Sequence, residues 1–168
     1  IDSSMVSDEA AQIKSTVPST AFSSVPYDFV LLDCPPFIGA VTLNAIVAAD
    51  MLLIPTQPEF FSAHALRTMM LTIKQVRNQF NPSLIYRILV TMLDRRNRIH
   101  RQVDEQIRQT FGNGVLTSTI EIDTKLRESA VQGIPVTHHP AASRAHPPRS
   151  ALQYEALAQE LIDYVESR

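Results

Sequence analysis

Cysteine, glycine and tryptophan are scarce in this sequence of 168 residues, which contains one cysteine, four glycines and no tryptophan. The single cysteine, Cys34, excludes an intramolecular disulfide framework and fits a reducing cytoplasm, where we expect the protein to lie. Long apolar runs are also absent. The longest, from Phe37 to Pro55, is interrupted by Thr42, Asn44 and Asp50, so it does not have the character of a membrane span.

The few glycines exclude a phosphate-binding loop within this sequence. Such a loop needs glycines whose amides surround the phosphates and a lysine that reaches the β- and γ-phosphate oxygens. The glycines are Gly39, Gly112, Gly114 and Gly133, and none of them precedes a lysine. Because the sequence begins with isoleucine rather than methionine, we expect a longer product in which further residues precede it.

Charge is limited and nearly balanced. Lysine and arginine number 15, aspartate and glutamate number 17, and the net charge is −2. Any binding of nucleic acid must therefore come from a local basic patch rather than from the whole surface. With 45% hydrophobic and 19% charged residues, the composition is typical of a globular protein. The length and the lack of a linker predict a single α/β domain over residues 1–168.

Apolar patterns predict strands that alternate with helices. The predicted strands are 29–32, 51–54 (stopped by Pro55 and Pro58), 84–92 and 115–122. The predicted helices are 41–49, 62–80 (capped by Ser62), 97–111, 124–132 and a last helix that Ser150 caps, with Leu152, Leu157 and Val165 near one face. This alternation predicts parallel βαβ units, in which a mostly parallel sheet is flanked by helices.

The first predicted strand carries a functional signal. Phe29 to Leu32 is an unbroken apolar run, as in a strand buried on both faces of a parallel sheet. It ends in Asp33, and the following Pro35 and Pro36 cannot continue a ladder. Asp33 is therefore expected at the carboxyl end of the strand, where α/β sheets bind ligands. The alternative is that Asp33 only caps a turn.

The segment from Asp28 to Pro36 resembles the Walker B and switch II region of ParA-type (ParA/Soj) partition ATPases, which belong to the ParA/MinD family with a deviant Walker A loop. Further motifs follow in the family's order, so the resemblance covers the chain from about Tyr27 onward. These motifs are Gly39, 43–45, 48–50, 53–57, 81–82, 91–94, 125–129, 133–136 and a closing helix over 154–161. The resemblance implies a P-loop NTPase-like fold whose amino-terminal P-loop unit lies upstream of this sequence.

The resemblance also implies site residues and the cofactors ATP and Mg²⁺. Asp33 would be catalytic and would hold Mg²⁺ through a water molecule. The loop 91–94 resembles the adenine-side loop, and the turn 121–123 resembles the second wall of that pocket, although relatives often carry proline in place of Glu121. Core packing is the favoured alternative for Met92. The residues predicted to bind nucleotide are Asp33, Pro35, Thr91, Met92, Asp94, Ile122 and Asp123.

The densest basic run suggests a DNA-binding surface. It contains Arg95, Arg96, Arg98 and Arg101, and Lys125 and Arg127 extend the predicted set, with Arg144 and Arg149 as further additions. A solvated helix start is the alternative. Partition ATPases bind DNA without sequence preference as ATP-bound dimers, so the resemblance favours a patch that grips phosphates. It also implies a homodimer, a ParB-like partner protein and association with the nucleoid.

Two classes of function remain open. The first is an ATPase for plasmid or chromosome partition. This chain alone is not expected to hydrolyse ATP. The second is a non-catalytic interaction module that kept the sheet and lost the phosphate loop. MinD-like membrane cycling, or another cargo-positioning ATPase, is a competitor within the first class. The last helix argues against membrane cycling because it is acidic, whereas membrane-surface helices favour a basic polar face.

The histidines give no metal signal. His138, His139 and His146 lie in a proline-rich stretch, and no cysteine or carboxylate spacing completes a set of ligands. We therefore predict a surface loop here and no zinc site.

Overall fold

The computed structural model describes residues 27–140 and 147–166. Its internal contacts group the chain into two compact units. Of the described residues, the first unit comprises 27–52 and 68–85, and the second comprises 53–67, 86–140 and 147–166. Predictions made for Arg144 and His146 lie outside the described residues. The single domain over residues 1–168 stays a prediction.

Strands and helices alternate in the described part of the chain, which confirms the α/β class. The strands β1 (Met51–Thr56), β2 (Ile85–Leu93) and β3 (Val115–Glu121) form a sheet in that order, with β2 parallel to β3. The helices are α1 (Ala40–Ala48), α2 (Phe60–Gln79), α3 (Arg98–Phe111), α4 (Thr124–Gln132) and α5 (Arg149–Glu166), and single 3₁₀ turns cover Gly112–Gly114 and Val136–His138.

The predicted strand at 29–32 is wrong. No strand covers residues 27–39, and the side chains of Phe29 and Leu31 are 50% and 91% exposed. A strand inside a parallel sheet needs partners for the N–H and C=O groups along both of its edges. This run pairs with no strand among the described residues, since the sheet there consists of β1, β2 and β3. An apolar sequence without such partners does not become a strand.

Three predicted boundaries differ from the structure by two residues or more. β1 continues through Pro55, which is exposed. Among the described residues β1 is an edge strand, where the missing N–H of a proline need not break the ladder. α2 begins at Phe60 rather than after Ser62, and α5 begins at Arg149 rather than after Ser150. On α5, Leu157 is buried as predicted but Leu152 is 50% exposed, so the buried stripe of this helix is narrower than its sequence suggests.

In the first unit, α1 is tied to the segment that follows α2. Asn81 Nδ2 donates to the carbonyl oxygens of Val47 at 3.0 Å and Ala49 at 2.8 Å. These bonds satisfy acceptors at the carboxyl end of α1 that the helix itself leaves unpaired. The apolar core of this unit includes Ile46, Ile73, Val76 and Leu84, each at most 3% exposed.

In the second unit, α5 packs along the outer edge of β3. Leu157 joins Leu89, Leu116 and Ile120 in a buried cluster, and burying a side chain of this size stabilises a fold by about 1.5–3 kcal/mol. The carboxylate of Glu160 accepts hydrogen bonds from the backbone N–H groups of Thr117 and Ser118 at 2.7 and 2.8 Å. α5 therefore covers a strand edge that would otherwise present free amides.

Helix α3 follows the sequence pattern closely. The side chain of Asn97 accepts a hydrogen bond from the N–H of Ile99 at 2.9 Å and caps the helix, as its residue type favours. Val103 and Ile107 are buried. This cap fixes the direction in which the chain leaves β2 and enters α3, and that stretch carries most of the predicted site residues.

Candidate functional site

The carboxyl end of β2 contains a bulge at Met92. Thr91 pairs with Ile120 and Leu93 pairs with Glu121, so Met92 is one residue more than β3 can match. Its φ of 54° lies in the left-handed region, which residues other than glycine seldom adopt. Its side chain is 43% exposed. The alternative that Met92 packs in the core is therefore wrong.

This backbone conformation marks the edge of the sheet as a candidate site. A residue held in the left-handed region costs about 1–3 kcal/mol and persists when its surroundings determine it strongly. Bulges are also frequent beside active sites, where they redirect a side chain. Here the redirected side chain meets Gln57, whose Nε2 lies 3.1 Å from Met92 Sδ.

The loop between β2 and α3 is held by its own polar groups. Asp94 Oδ1 accepts from the N–H of Arg96 at 2.9 Å and from Arg96 Nε at 3.1 Å. The hydrogen bond from the Arg96 side chain lowers the pKa of Asp94 below its ordinary value. The N–H of Asp94 donates to His100 Nδ1 at 3.1 Å, which places the proton of a neutral His100 on Nε2.

Glu121, Arg95 and Arg149 form a cluster that we call the Glu121 clamp. Glu121 Oε1 lies 2.6 Å from Arg95 Nε, and Glu121 Oε2 lies 2.7 Å from Arg149 Nη1. The Glu121 side chain is 10% exposed, whereas those of Arg95 and Arg149 are 64% and 57% exposed. The clamp joins the end of β3 to the loop before α3 and to the first residue of α5. Sequence reasoning missed it because its partners lie far apart in the chain.

Asp123 caps two helices at once. Its side chain accepts from the N–H of Lys125 at 2.9 Å, at the start of α4, and from the N–H of Ser150 at 3.1 Å, at the start of α5. Partial burial raises the pKa of Asp123, but these hydrogen bonds outweigh it and hold the pKa below the ordinary value. Beside it, the N–H of Ile122 donates to the carbonyl of Leu93 at 3.1 Å.

The structure assigns the predicted nucleotide-binding residues to two different units. Asp33 is exposed and Pro35 is partly buried in the first unit, and Asp33 does not end a strand. The remaining residues belong to the second unit and lie where β2 and β3 end: Thr91, Met92, Asp94, Ile122 and Asp123.

The residues predicted to bind DNA differ in how firmly they are held. Arg95 is bound to Glu121 and Arg96 to Asp94, and Arg101 Nη1 donates to the carbonyl of Arg95. Lys125 Nζ lies 2.8 Å from Glu128 Oε2. Arg98 and Arg127 are exposed and form no ion pair with the residues that the structure describes.

The prediction of a surface loop at the histidines is wrong for His139. This side chain is 5% exposed, and its Nε2 lies 3.1 Å from Glu128 Oε2. The hydrogen bond from Lys125 lowers the pKa of Glu128, and His139 adds to that effect. His138 is exposed as predicted. Within residues 27–140 and 147–166, no cluster of three or more His, Cys, Asp or Glu side chains could hold a metal ion.

Comparison with known proteins gives consistent matches. Residues 8–86 match the family AAA_31, described as an AAA domain. The chain is 36% identical over 137 residues to the chromosome-partitioning ATPase Soj of Treponema pallidum, which covers 81% of this chain and 52% of that protein. It is 41% identical over 112 residues to the chromosome partitioning protein ParA of Caulobacter vibrioides, which covers 66% of this chain and 42% of that protein.

Solved structures give a similar fold. A cobyrinic acid a,c-diamide synthase from Mycobacterium smegmatis, crystallised with an ATP analogue and magnesium, superposes with a TM-score of 0.51 and 28% identity over 62% of this chain and 41% of that chain. The fold is thus α/β and P-loop NTPase-like. No helix in the described residues is long and apolar enough to cross a membrane. The chain spans about half the length of the curated relatives it matches, and it belongs to the ParA/Soj-type family of partition ATPases.

Proposed function

We propose that the full-length protein is a ParA-like ATPase that acts in plasmid or chromosome partition. The observation that supports this most strongly is the identity of 36% to a Soj ATPase over 81% of this chain. ATP and Mg²⁺ are the proposed cofactors. In this proposal the protein works in the cytoplasm, in association with the nucleoid, as an ATP-bound homodimer that binds DNA and a ParB-like partner.

The chemistry of the predicted residues fits these cofactors. Mg²⁺ prefers oxygen ligands and keeps several of its waters, which suits the exposed carboxylate of Asp33. Asp33 would orient such a water, and Pro35 would lie in the segment that responds to the γ-phosphate. The exposed thioether of Met92 offers an apolar surface to a purine base. The carbonyl oxygens of Asp94, Ile122 and Asp123 already accept a hydrogen bond, and the second lone pair of each can accept another from the base.

The proposed DNA contact is electrostatic and independent of sequence. Arg98 and Arg127 are exposed cations without a described ion-pair partner, so they are available to phosphates. Arg101 and Lys125 can add to them. Arg95 and Arg96 are already bound to carboxylates, so we expect them to contribute less.

The proposal is tested on the full-length gene product by measuring ATP hydrolysis with and without Mg²⁺, duplex DNA and the protein encoded beside it. We expect hydrolysis to require Mg²⁺ and to rise when DNA and the partner are added. Two duplexes of unrelated sequence should bind equally. A protein that binds no nucleotide would favour the non-catalytic interaction module, and ATP-dependent binding to anionic vesicles would favour a MinD-like role.

A further inference from the structure

We infer that Glu121 is a positioning residue for the nucleotide base, acting through the Glu121 clamp on the loop that carries Met92. This inference rests on the proposed function, because it assumes that the loop contacts ATP. In this chain the Glu121 carboxylate has two arginine partners, Arg95 and Arg149.

Glu121 holds the chain at two points after the bulge. Leu93 follows Met92 directly and pairs with Glu121, and the N–H of Ile122 donates to the Leu93 carbonyl at 3.1 Å. Two residues farther on, Arg95 is held by the Glu121 carboxylate itself. The backbone is therefore fixed twice by Glu121. Its strand pairing with Leu93 fixes the chain just after Met92, and its side chain fixes the chain again at Arg95.

The burial of the three side chains shows which of them is the anchor. Glu121 is 10% exposed and the N–H of Glu121 is bound to Gln153 Oε1 at 3.0 Å, so the carboxylate has a fixed position. Arg95 and Arg149 are more than half exposed and would be hydrated without their partner. Removing the carboxylate therefore releases the loop at Arg95 without leaving a buried charge behind.

Other contacts hold the rest of this edge. Asp123 caps α5 through the N–H of Ser150, and Leu157 fixes α5 on the sheet. The second arm of the clamp is also reinforced, because Arg149 Nη2 donates to the carbonyl of Ile122 at 2.8 Å. The loop at Arg95 is held from within by Asp94 and by Arg101, which donates to the Arg95 carbonyl, and Glu121 ties the loop to β3. The loss of Glu121 should therefore fall mainly on the position of the loop and on the base that it contacts.

The test compares the full-length wild type with Glu121→Gln and with Glu128→Gln as a matched control. Glu128 is also a glutamate of the second unit in contact with a cation, but it lies on α4. We expect Glu121→Gln to raise the KM for ATP about tenfold, equivalent to about 1.4 kcal/mol, with kcat within about twofold. Glu128→Gln should change neither. Hydrogen exchange at the amides of 94–97 should be faster only in Glu121→Gln.

The outcomes separate this inference from the proposed function. Wild type that neither binds nor hydrolyses ATP would overturn both. An active wild type whose KM and loop exchange are unchanged in Glu121→Gln would overturn the inference alone, and so would a variant that loses stability with its KM intact. If Glu121→Gln does not fold, Arg95→Ala removes the same arm of the clamp from its exposed side. It should then raise the KM, with partial rescue by Arg95→Lys, and an unchanged KM in Arg95→Ala would again overturn the inference.

Discussion

The stretch 27–39 and the loop at 91–94 were both predicted to serve a nucleotide site, yet they differ in structure. The first has the more specific sequence motif, but it forms no strand and exposes Phe29 and Leu31. The second has the weaker motif, but it is fixed by a bulge, a capped helix and the Glu121 clamp. A motif therefore identifies chemistry without determining local structure, because structure depends on the partners that each segment finds.

The largest expected effect is a loss of ATP hydrolysis on mutation of the stretch 27–39. In the full-length protein, Asp33→Ala should reduce Mg²⁺-dependent ATP hydrolysis by about 100-fold or more, the scale seen when a group that stabilises a transition state is lost. The melting temperature should change little because Asp33 is exposed. Steady-state hydrolysis and thermal unfolding measure the two quantities.

Asp50→Ala is the control for that experiment, since Asp50 is another exposed aspartate of the first unit. Its hydrolysis rate should match the wild type. Wild-type turnover in Asp33→Ala would show that Asp33 only caps a turn. The ordered loop at 91–94 would then be the better predictor of function than the stretch 27–39.

The next largest effect is expected on the stability of the first unit, in its packed part. Asn81→Ala removes two hydrogen bonds to the carbonyls of Val47 and Ala49 and leaves these partly buried acceptors without the donor. We expect a loss of about 1–3 kcal/mol in the free energy of unfolding. Urea denaturation measures it, with Asn78→Ala as the control because Asn78 is exposed on α2. Equal stabilities of the two variants would contradict the role of Asn81.

In the second unit, Asp123→Asn tests the double cap. The folded pKa of Asp123 is depressed, so its charge contributes stability above the ordinary pKa and loses that contribution as pH falls through the folded value. Asparagine still caps a helix but lacks the charge that favours a helix N-terminus, so we expect the variant to be less stable than wild type by about 0.3–1 kcal/mol at pH 7. The difference should shrink as the pH is lowered below about 4, where the carboxylate begins to protonate.

Urea denaturation between pH 7 and pH 3 measures this dependence. Asp163→Asn is the control, because Asp163 is exposed on α5 and accepts from Gln159 within its own helix. A stability difference in Asp123→Asn that does not vary with pH would show that the charge of the cap is unimportant.

Local patterns predicted the helices well because their determinants are local. α4 has the predicted bounds because its cap Asp123 and its left-handed Gly133 lie next to its ends in sequence. The bulge at Met92 could not be predicted in this way, because it depends on the register between β2 and β3. The Glu121 clamp likewise requires three segments that are distant in sequence. The strand at 29–32 was mispredicted since apolarity does not report whether a pairing partner is present.

The smallest expected effect is on DNA affinity. It compares an arginine without an ion pair, on helix α3, with an arginine in an ion pair, in the loop before α3. If the protein grips DNA phosphates, Arg98→Glu should reduce affinity equally for unrelated duplexes and should flatten the slope of log affinity against log salt by roughly one unit. Arg95→Glu should have a smaller effect, because Arg95 is already bound to Glu121. Fluorescence anisotropy of the full-length, ATP-bound protein at several salt concentrations measures both.

Arg77→Glu is the matched control for this last comparison. Arg77 is exposed near the end of α2, so its reversal changes the net charge by the same amount without touching the basic run. If Arg77→Glu weakens binding as much as Arg98→Glu, the effect comes from net charge and not from a contact. If Arg95→Glu weakens DNA binding more than Arg98→Glu does, the ion pair between Arg95 and Glu121 opens when the protein binds DNA. Unchanged affinity in both would return the run to a solvated helix start and leave Arg127 as the next residue to test.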